Sequence, residues 1–253
     1  MHYAEVQIAC LRRYALKLDS VPIYIATEER PTHGSCLQRI LRNKNTHHIS
    51  LQQEESGFLE SRLSGITYLP DNYDFVLPLQ EDFWLDRAPD YKVINDAINI
   101  LVADMRIQSV RLMPSPGPHP EDEFYKDDWL ILGIKDEYKF TFQATLWRRD
   151  SYIKFMEHIL KIASKDFHSS GLPSTDWSKY CVRVNVAENL KGQKTFSEMC
   201  MGPNKLHLSI KRSHDSPNAV FLAPWPYRPT AVVQGSLEPW AKEFAKREGF
   251  KLN

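Results

Sequence analysis

Phe75-Val76-Leu77-Pro78-Leu79-Gln80-Glu81-Asp82-Phe83-Trp84-Leu85 is an apolar run interrupted by two adjacent acids. Pro70-Asp71-Asn72 precedes it as a turn signal, so the run reads as a short buried strand. Carboxylates at the carboxyl end of such a strand sit where open α/β sheets bind their ligands. Two hard oxygen donors there suit Mg²⁺ or Mn²⁺, ions that keep positions open for the phosphates of a nucleotide. The competing reading makes Glu81 and Asp82 caps of the following turn.

Upstream, Val6, Ala9, Cys10, Tyr14 and Leu18 recur at helical spacing and predict an amphipathic helix. Val21 to Ala26 reads as a strand. Residues 28–50 are polar, contain His33, His47 and His48, and read as loop with little regular structure. Adjacent histidines on a loop are more often solvated than metal-bound, and no role is assigned to them. Phe58, Leu59, Leu63 and Ile66 mark a short helix before the acid-tipped strand.

Downstream, Asp90 is an N-cap for a helix carrying Val93, Ile94, Ala97, Ile98 and Leu101. Strand, acids and helix in that order form an α/β pattern. Val110 to Met113 is a further strand, and the proline-rich stretch 114–120 is a stiff loop. The acids Glu121, Asp122, Glu123, Asp127 and Asp128 read as a solvated face rather than a second metal site. Residues 129–133 and 139–147 read as two strands joined by Lys135-Asp136-Glu137, hence a hairpin.

Asp150 then caps a helix whose apolar face is Tyr152, Ile153, Met156, Ile159, Leu160 and Ala163. Residues 164–178 read as polar loop, and Val182 to Val186 alternates as a short strand. Pro239 and Gly249 bracket a terminal helix built on Trp240, Phe244 and Ala245. No internal repeat or low-complexity linker divides the chain, so one domain spanning 1–253 is expected.

The 253 residues suffice for a substantial core. Charge balances at 32 basic against 32 acidic residues, which leaves no global field to attract nucleic acid. Cys10, Cys36, Cys181 and Cys200 lack C-x-x-C spacing, which argues against a zinc ribbon or disulfide framework and fits a reducing compartment. No apolar run reaches membrane-span length, and residues 1–18 carry Arg12, Arg13 and Lys17 instead of a signal-peptide core. A cytoplasmic protein is expected.

Four stretches in order carry a resemblance. They are Pro22 to Glu28, Leu77 to Leu85, Phe140-Thr141-Phe142-Gln143-Ala144-Thr145-Leu146-Trp147, and Trp225 through Gly235 to Ser236. Through them the chain resembles nucleotide-sugar glycosyltransferases of the GT-A type, notably small transferases of bacterial capsule loci and large algal viruses (chloroviruses). The resemblance implies a GT-A-like, Rossmann-like α/β fold with a central mixed sheet flanked by helices. It implies a nucleotide-sugar and metal half over 1–135 and an acceptor half over 136–253, and a host-cytoplasm location if viral. The partners it implies are a UDP-sugar donor and a carbohydrate acceptor. Gln80-Glu81-Asp82 stands at the family's DxD motif, with an amide in place of the first acid. Asp82 is then the metal ligand, for Mn²⁺ or Mg²⁺, and Glu81 the second acid on the cofactor side. The family also opens with a strand whose trailing loop holds the nucleobase, whereas here the first segment is helix-like.

The remaining site residues follow from residue chemistry and this comparison. Thr27 and Glu28 lie just past a strand, where such folds approach the nucleoside. Arg111 is placed to pair with a phosphate or an acidic acceptor. Gln143 and Trp147 fall on alternate strand positions and would offer an amide and a ring to a sugar; the alternative is that Trp147 is core. His214, or else His207, is the candidate third metal ligand. In the region where related enzymes carry a base, Asp176 is the first choice and Glu188 the second. Trp225, Pro226 and Tyr227 form an aromatic wall near the acceptor or a core corner. The leading expectation is metal-dependent sugar transfer to a glycan. A non-catalytic nucleotide-sugar or glycan-binding relative is the alternative, and a phosphohydrolase using the acids 121–128 ranks below both.

Overall fold

The computed structural model describes residues 2–28, 30–52, 59–114, 118, 121–133, 140, 142–170, 202–211, 223–227, 231–233, 236–250 and 252, for 31 and 162–170 the backbone alone. Helix α1 (His2–Tyr14) passes through a 3-10 turn (Leu16–Leu18) into strand β1 (Ile23–Glu28). Helix α2 (Gly34–Leu41), β2 (Thr46–Leu51), α3 (Glu60–Thr67) and β3 (Phe75–Val76) follow. Next come α4 (Tyr91–Ala103), β4 (Ile107–Arg111), β5 (Phe124–Lys126), β6 (Trp129–Ile131) and β7 (Thr145–Arg148). The last elements are α5 (Arg149–Ser170), β8 (Leu206–Ile210), β9 (Val232–Val233), β10 (Ser236–Leu237) and α6 (Pro239–Arg247).

A six-stranded mixed sheet runs in the order β3-β7-β4-β8-β6-β5. Strands β4 and β8 are parallel, while β7 is antiparallel to both β3 and β4. Helices cover both faces because side chains alternate across the sheet. Leu146 joins a core with Ile94, Leu101 and Val110, on the side of α4. Its neighbour Trp147 joins Leu59, Ile66, Tyr152 and Phe155, on the side of α3 and α5. The chain is therefore a mixed α/β protein with a helix-flanked sheet. Among the described residues no helix is long and apolar enough to cross a membrane.

Local signals explain the elements read correctly. The Asp90 carboxylate accepts from the backbone N–H groups of Lys92 at 3.0 Å and Val93 at 3.2 Å, capping α4 as predicted. Pro239 opens α6, and Gly249 beyond its end adopts φ 86°, a conformation open to glycine without strain.

Three expectations are corrected. Residues 28–50 are not loop: they contain α2 and β2. Cys36 and Ile40 are the buried side of α2, and Thr46, Ile49 and Leu51 turn inward from β2, which pairs in parallel with β1. Asn45 takes φ 53° at the turn between them, a conformation asparagine tolerates. His47 and His48 therefore sit on a strand, where His47 stacks on Tyr24 with centroids 4.9 Å apart.

The hairpin expected from 129–147 does not form. Strand β6 pairs with β5 and β8, whereas β7 pairs with β3 and β4. The tight turn lies one strand earlier, at Asp127 (φ 48°) and Asp128, so part of the acidic run is a hairpin turn. Finally, the acid-tipped strand is short. Only Phe75 and Val76 pair, and residues 77–80 carry no strand assignment. Val182 to Val186 lies outside the described residues.

Gly65 shows how tightly α3 lies on β1. A Cβ there would approach the Ala26 Cβ to 2.7 Å. Gly65→Ala is expected to cost about 1–3 kcal/mol from overpacking, despite alanine's better helix propensity. Urea denaturation measures it, and a stabilised variant would show that α3 does not seat on β1 as described.

Candidate active site

β1 and β3 belong to different sheets, and a cleft of about 680 Å³ opens between them. Its walls are β1 on one side and residues 75–81 on the other, with faces of α1 and α3 completing it. Tyr24 of β1 and Tyr73 before β3 join hydroxyls at 3.1 Å. The Gln7 side chain of α1 donates to the Gln80 carbonyl.

Thr27, Glu28 and Glu81 all line this cleft, so the structure brings together three residues that the sequence proposed separately. Glu28 pairs with Arg30, and its carbonyl lies 3.3 Å from His33 Nδ1. The Thr27 carbonyl lies 3.2 Å from His48 Nε2. The end of β1 is thus held by two imidazoles from segments read as loop.

The acid pair splits across the rim. Glu81 is exposed toward the cleft, while Asp82 turns inward and is only 8% exposed. The segment is anchored behind it. Trp84 Nε1 donates to the Glu81 carbonyl at 2.9 Å, the Ala231 N–H donates to the Asp82 carbonyl at 3.1 Å, and Phe83 stacks on Tyr227 at 4.5 Å. Burial, and then the neighbouring Glu81 charge, push the Asp82 carboxyl up to about 6, with Arg62 acting in the opposite direction. Glu81 is the carboxylate open to the cleft, and the buried Asp82 would have to turn outward to share a hard divalent cation with it. A bound cation would also offset the desolvation and repulsion that Asp82 now carries.

Arg62 was not anticipated. It lines the cleft from α3, lies 5.2 Å above the Phe142 ring, and interacts electrostatically with Glu81, Asp82 and Tyr152. Burial lowers its pKa, but a guanidinium remains charged. A signal existed: Leu59, Arg62 and Ile66 share one helical face, and a basic residue on an apolar stripe is not an ordinary surface charge.

No protein-family model matches this chain, and no curated protein matches it.

Other candidates lie elsewhere. Arg111 is 1% exposed and curls back so that Nε and Nη2 each lie 3.3 Å from the Met113 carbonyl; it does not line the cleft. Gln143 is half-buried and precedes β7, so strand alternation does not pair it with Trp147. Trp147 is 2% exposed within a ring cluster, stacked on Phe155 at 5.1 Å and edge-on to Tyr152 at 5.4 Å. His207 is fully buried in β8, with Nδ1 2.8 Å from Ser109 Oγ and its ring edge-on to Phe140 at 4.8 Å. That hydrogen bond and packing make it a core histidine. His214, Asp176 and Glu188 lie outside the described residues. Trp225 and Tyr227 are both core residues; Trp225 also borders the cleft, while Tyr227 packs behind Phe83.

Proposed function

We propose that the chain is a metal-dependent glycosyltransferase of GT-A-like architecture that moves a sugar from a UDP-sugar to a carbohydrate acceptor. The observation that carries the proposal is convergence. Glu81, beside Asp82 and past the end of β3, shares one cleft with Thr27 and Glu28 at the end of β1. Ligands of α/β sheets bind at such carboxyl ends.

Transfer breaks the bond between the anomeric carbon and the diphosphate, leaving negative charge on the departing nucleotide. A divalent cation held by Asp82 and Glu81 would supply Lewis-acid stabilisation of that charge. Thr27 offers a hydroxyl and Glu28 a carboxylate to the hydroxyl-rich nucleoside at the opposite wall. Asp176 and Glu188 remain the proposed bases for the acceptor hydroxyl if configuration inverts.

The test is a thermal-shift screen of UDP-sugars with and without Mn²⁺, followed by turnover of each hit. A donor at about a hundred times its Kd adds about 2.7 kcal/mol, and raises Tm by roughly 5–10 °C. The shift is expected to need Mn²⁺ and to accompany release of UDP. Neither shift nor turnover with any donor would defeat the proposal. Shift without turnover would favour the non-catalytic binding relative, a reading supported by Gln80 in place of an acid and by the inward turn of Asp82.

A further inference from the structure

Where α1 packs on α2, three side chains of different chemistry meet. His2 and Glu5 stand three residues apart on α1, a spacing that puts both on one face of the helix. Cys36 approaches them from α2 and is 1% exposed. One ring nitrogen of His2, one carboxylate oxygen of Glu5 and the Cys36 sulfur all lie within 4.8 Å of one another, the only such grouping of three among the described residues. None of the three lines the cleft, so the cluster stands apart from Glu81 and Asp82.

Hydrogen bonds already hold two of the three in place. The Cys36 thiol donates to Glu5 Oε2 at 3.2 Å. Arg39, one turn further along α2, donates from Nε to Glu5 Oε1 at 2.5 Å and from Nη2 to Oε2 at 2.9 Å. Cys36 and Glu5 therefore have partners, and the place for an ion is that of the thiol proton. In a tetrahedral zinc site, with Zn–S about 2.3 Å and Zn–O about 2.1 Å, ligand sulfur and oxygen stand about 3.6 Å apart. The sulfur–oxygen contact has only to open by a few tenths of an ångström. A carboxylate oxygen has lone pairs enough for an ion and Arg39 together, so the ion pair stays. It then fixes the carboxylate, as the outer partners of metal ligands do.

We propose that His2, Glu5 and Cys36 bind Zn²⁺, with the fourth position of the tetrahedron open to water or a further donor. Thiolate, imidazole and carboxylate are zinc's ligand types, whereas a thiolate is a poor ligand for Mg²⁺ or Ca²⁺. As the Zn–S bond forms, the thiol proton passes to solvent, and thiolate and carboxylate together balance the two charges of the ion. The ion joins the amino-terminal helix to α2. Because the three ligands meet only in the folded chain, binding stabilises that chain by mass action.

Co²⁺ is the probe, since it takes the place of zinc and reports a thiolate ligand through a charge-transfer band in the near ultraviolet. Titration of the reduced, untagged chain is expected to give that band, and excess Zn²⁺ to abolish it. Cys36→Ala is expected to lose the band. His2→Gln, at an exposed position, is expected to leave the metal-free Tm unchanged and to weaken Co²⁺ binding at least about tenfold. Zn²⁺ at about a hundred times its Kd is expected to raise the Tm of the parent by roughly 5–10 °C, and that of His2→Gln by less at the same concentration. No band, a band that survives Cys36→Ala, or Co²⁺ affinity unchanged in His2→Gln would overturn the site. None of these readouts involves sugar transfer, so the result is independent of the glycosyltransferase reading.

Discussion

Asp82→Asn is expected to give a protein more stable at pH 7 than the parent and without Mn²⁺-dependent turnover. The two effects share one cause. In the folded chain the Asp82 carboxyl ionises near pH 6 instead of its ordinary 3.8, because it is buried and because Glu81 is its neighbour. A raised acid pKa means that the folded state holds this proton more tightly than the unfolded state does. Its contribution favours folding at acid pH and is lost as pH rises from about 4 through 6. Above that, ionised Asp82 costs the fold up to about 3 kcal/mol. Asparagine keeps the shape and removes the charge. Urea denaturation between pH 4.5 and 7.5 is expected to show the variant gaining on the parent as pH rises, by about 1–3 kcal/mol at pH 7. Turnover is expected to fall by at least about 100-fold through lost metal affinity. Such an exchange of stability for activity is typical of functional carboxylates. A variant less stable than the parent at pH 7 would refute the electrostatic account. One that keeps Mn²⁺-dependent turnover would remove Asp82 from the metal site.

Trp147→Ala is expected to cost about 3–5 kcal/mol, the largest stability loss of any substitution considered. Its indole fills the space between the sheet and α5, in contact with Phe140, Tyr152, Phe155 and His207. The cavity left behind cannot close, because β7 is paired on both edges. Any loss of donor affinity is then expected to follow the unfolded fraction and to vanish when an osmolyte restores folding. Trp147→Phe is expected to retain most of the stability and all of the affinity. If Trp147→Ala folds nearly as well as the parent yet binds donor poorly, the indole faces the sugar after all.

Much of the α/β pattern was legible because it rests on local chemistry. Helix α1, the Asp90 cap, the apolar face of α5 and the Pro239 to Gly249 bracket each follow from residues a turn or two apart. The elements misread depend on distant partners. α2 is a short helix that buries only Cys36 and Ile40, and β2 has two histidines between its inward residues Thr46 and Ile49. Both are stable only against β1 and its surroundings. The false hairpin has the same origin: alternation marks a strand but not its neighbour, and β6 found β8 from 75 residues later in the chain.

The candidate site divides in the same way. Thr27 and Glu28 could be named because they close an apolar strand, and Glu81 because it follows an apolar run, though the paired strand ends five residues before it. By itself, then, the sequence determined the helical periodicities, the Asp90 cap and the Pro239 to Gly249 bracket, since these are decided by neighbours along the chain. Tertiary structure alone decided that β1 and β3 flank one cleft, that Asp82 turns inward while Glu81 faces out, and that Arg62 of α3 lines that cleft within electrostatic reach of both acids. The physical reason is that burial and hydrogen-bond satisfaction are properties of surroundings assembled from distant segments, and no local pattern encodes them.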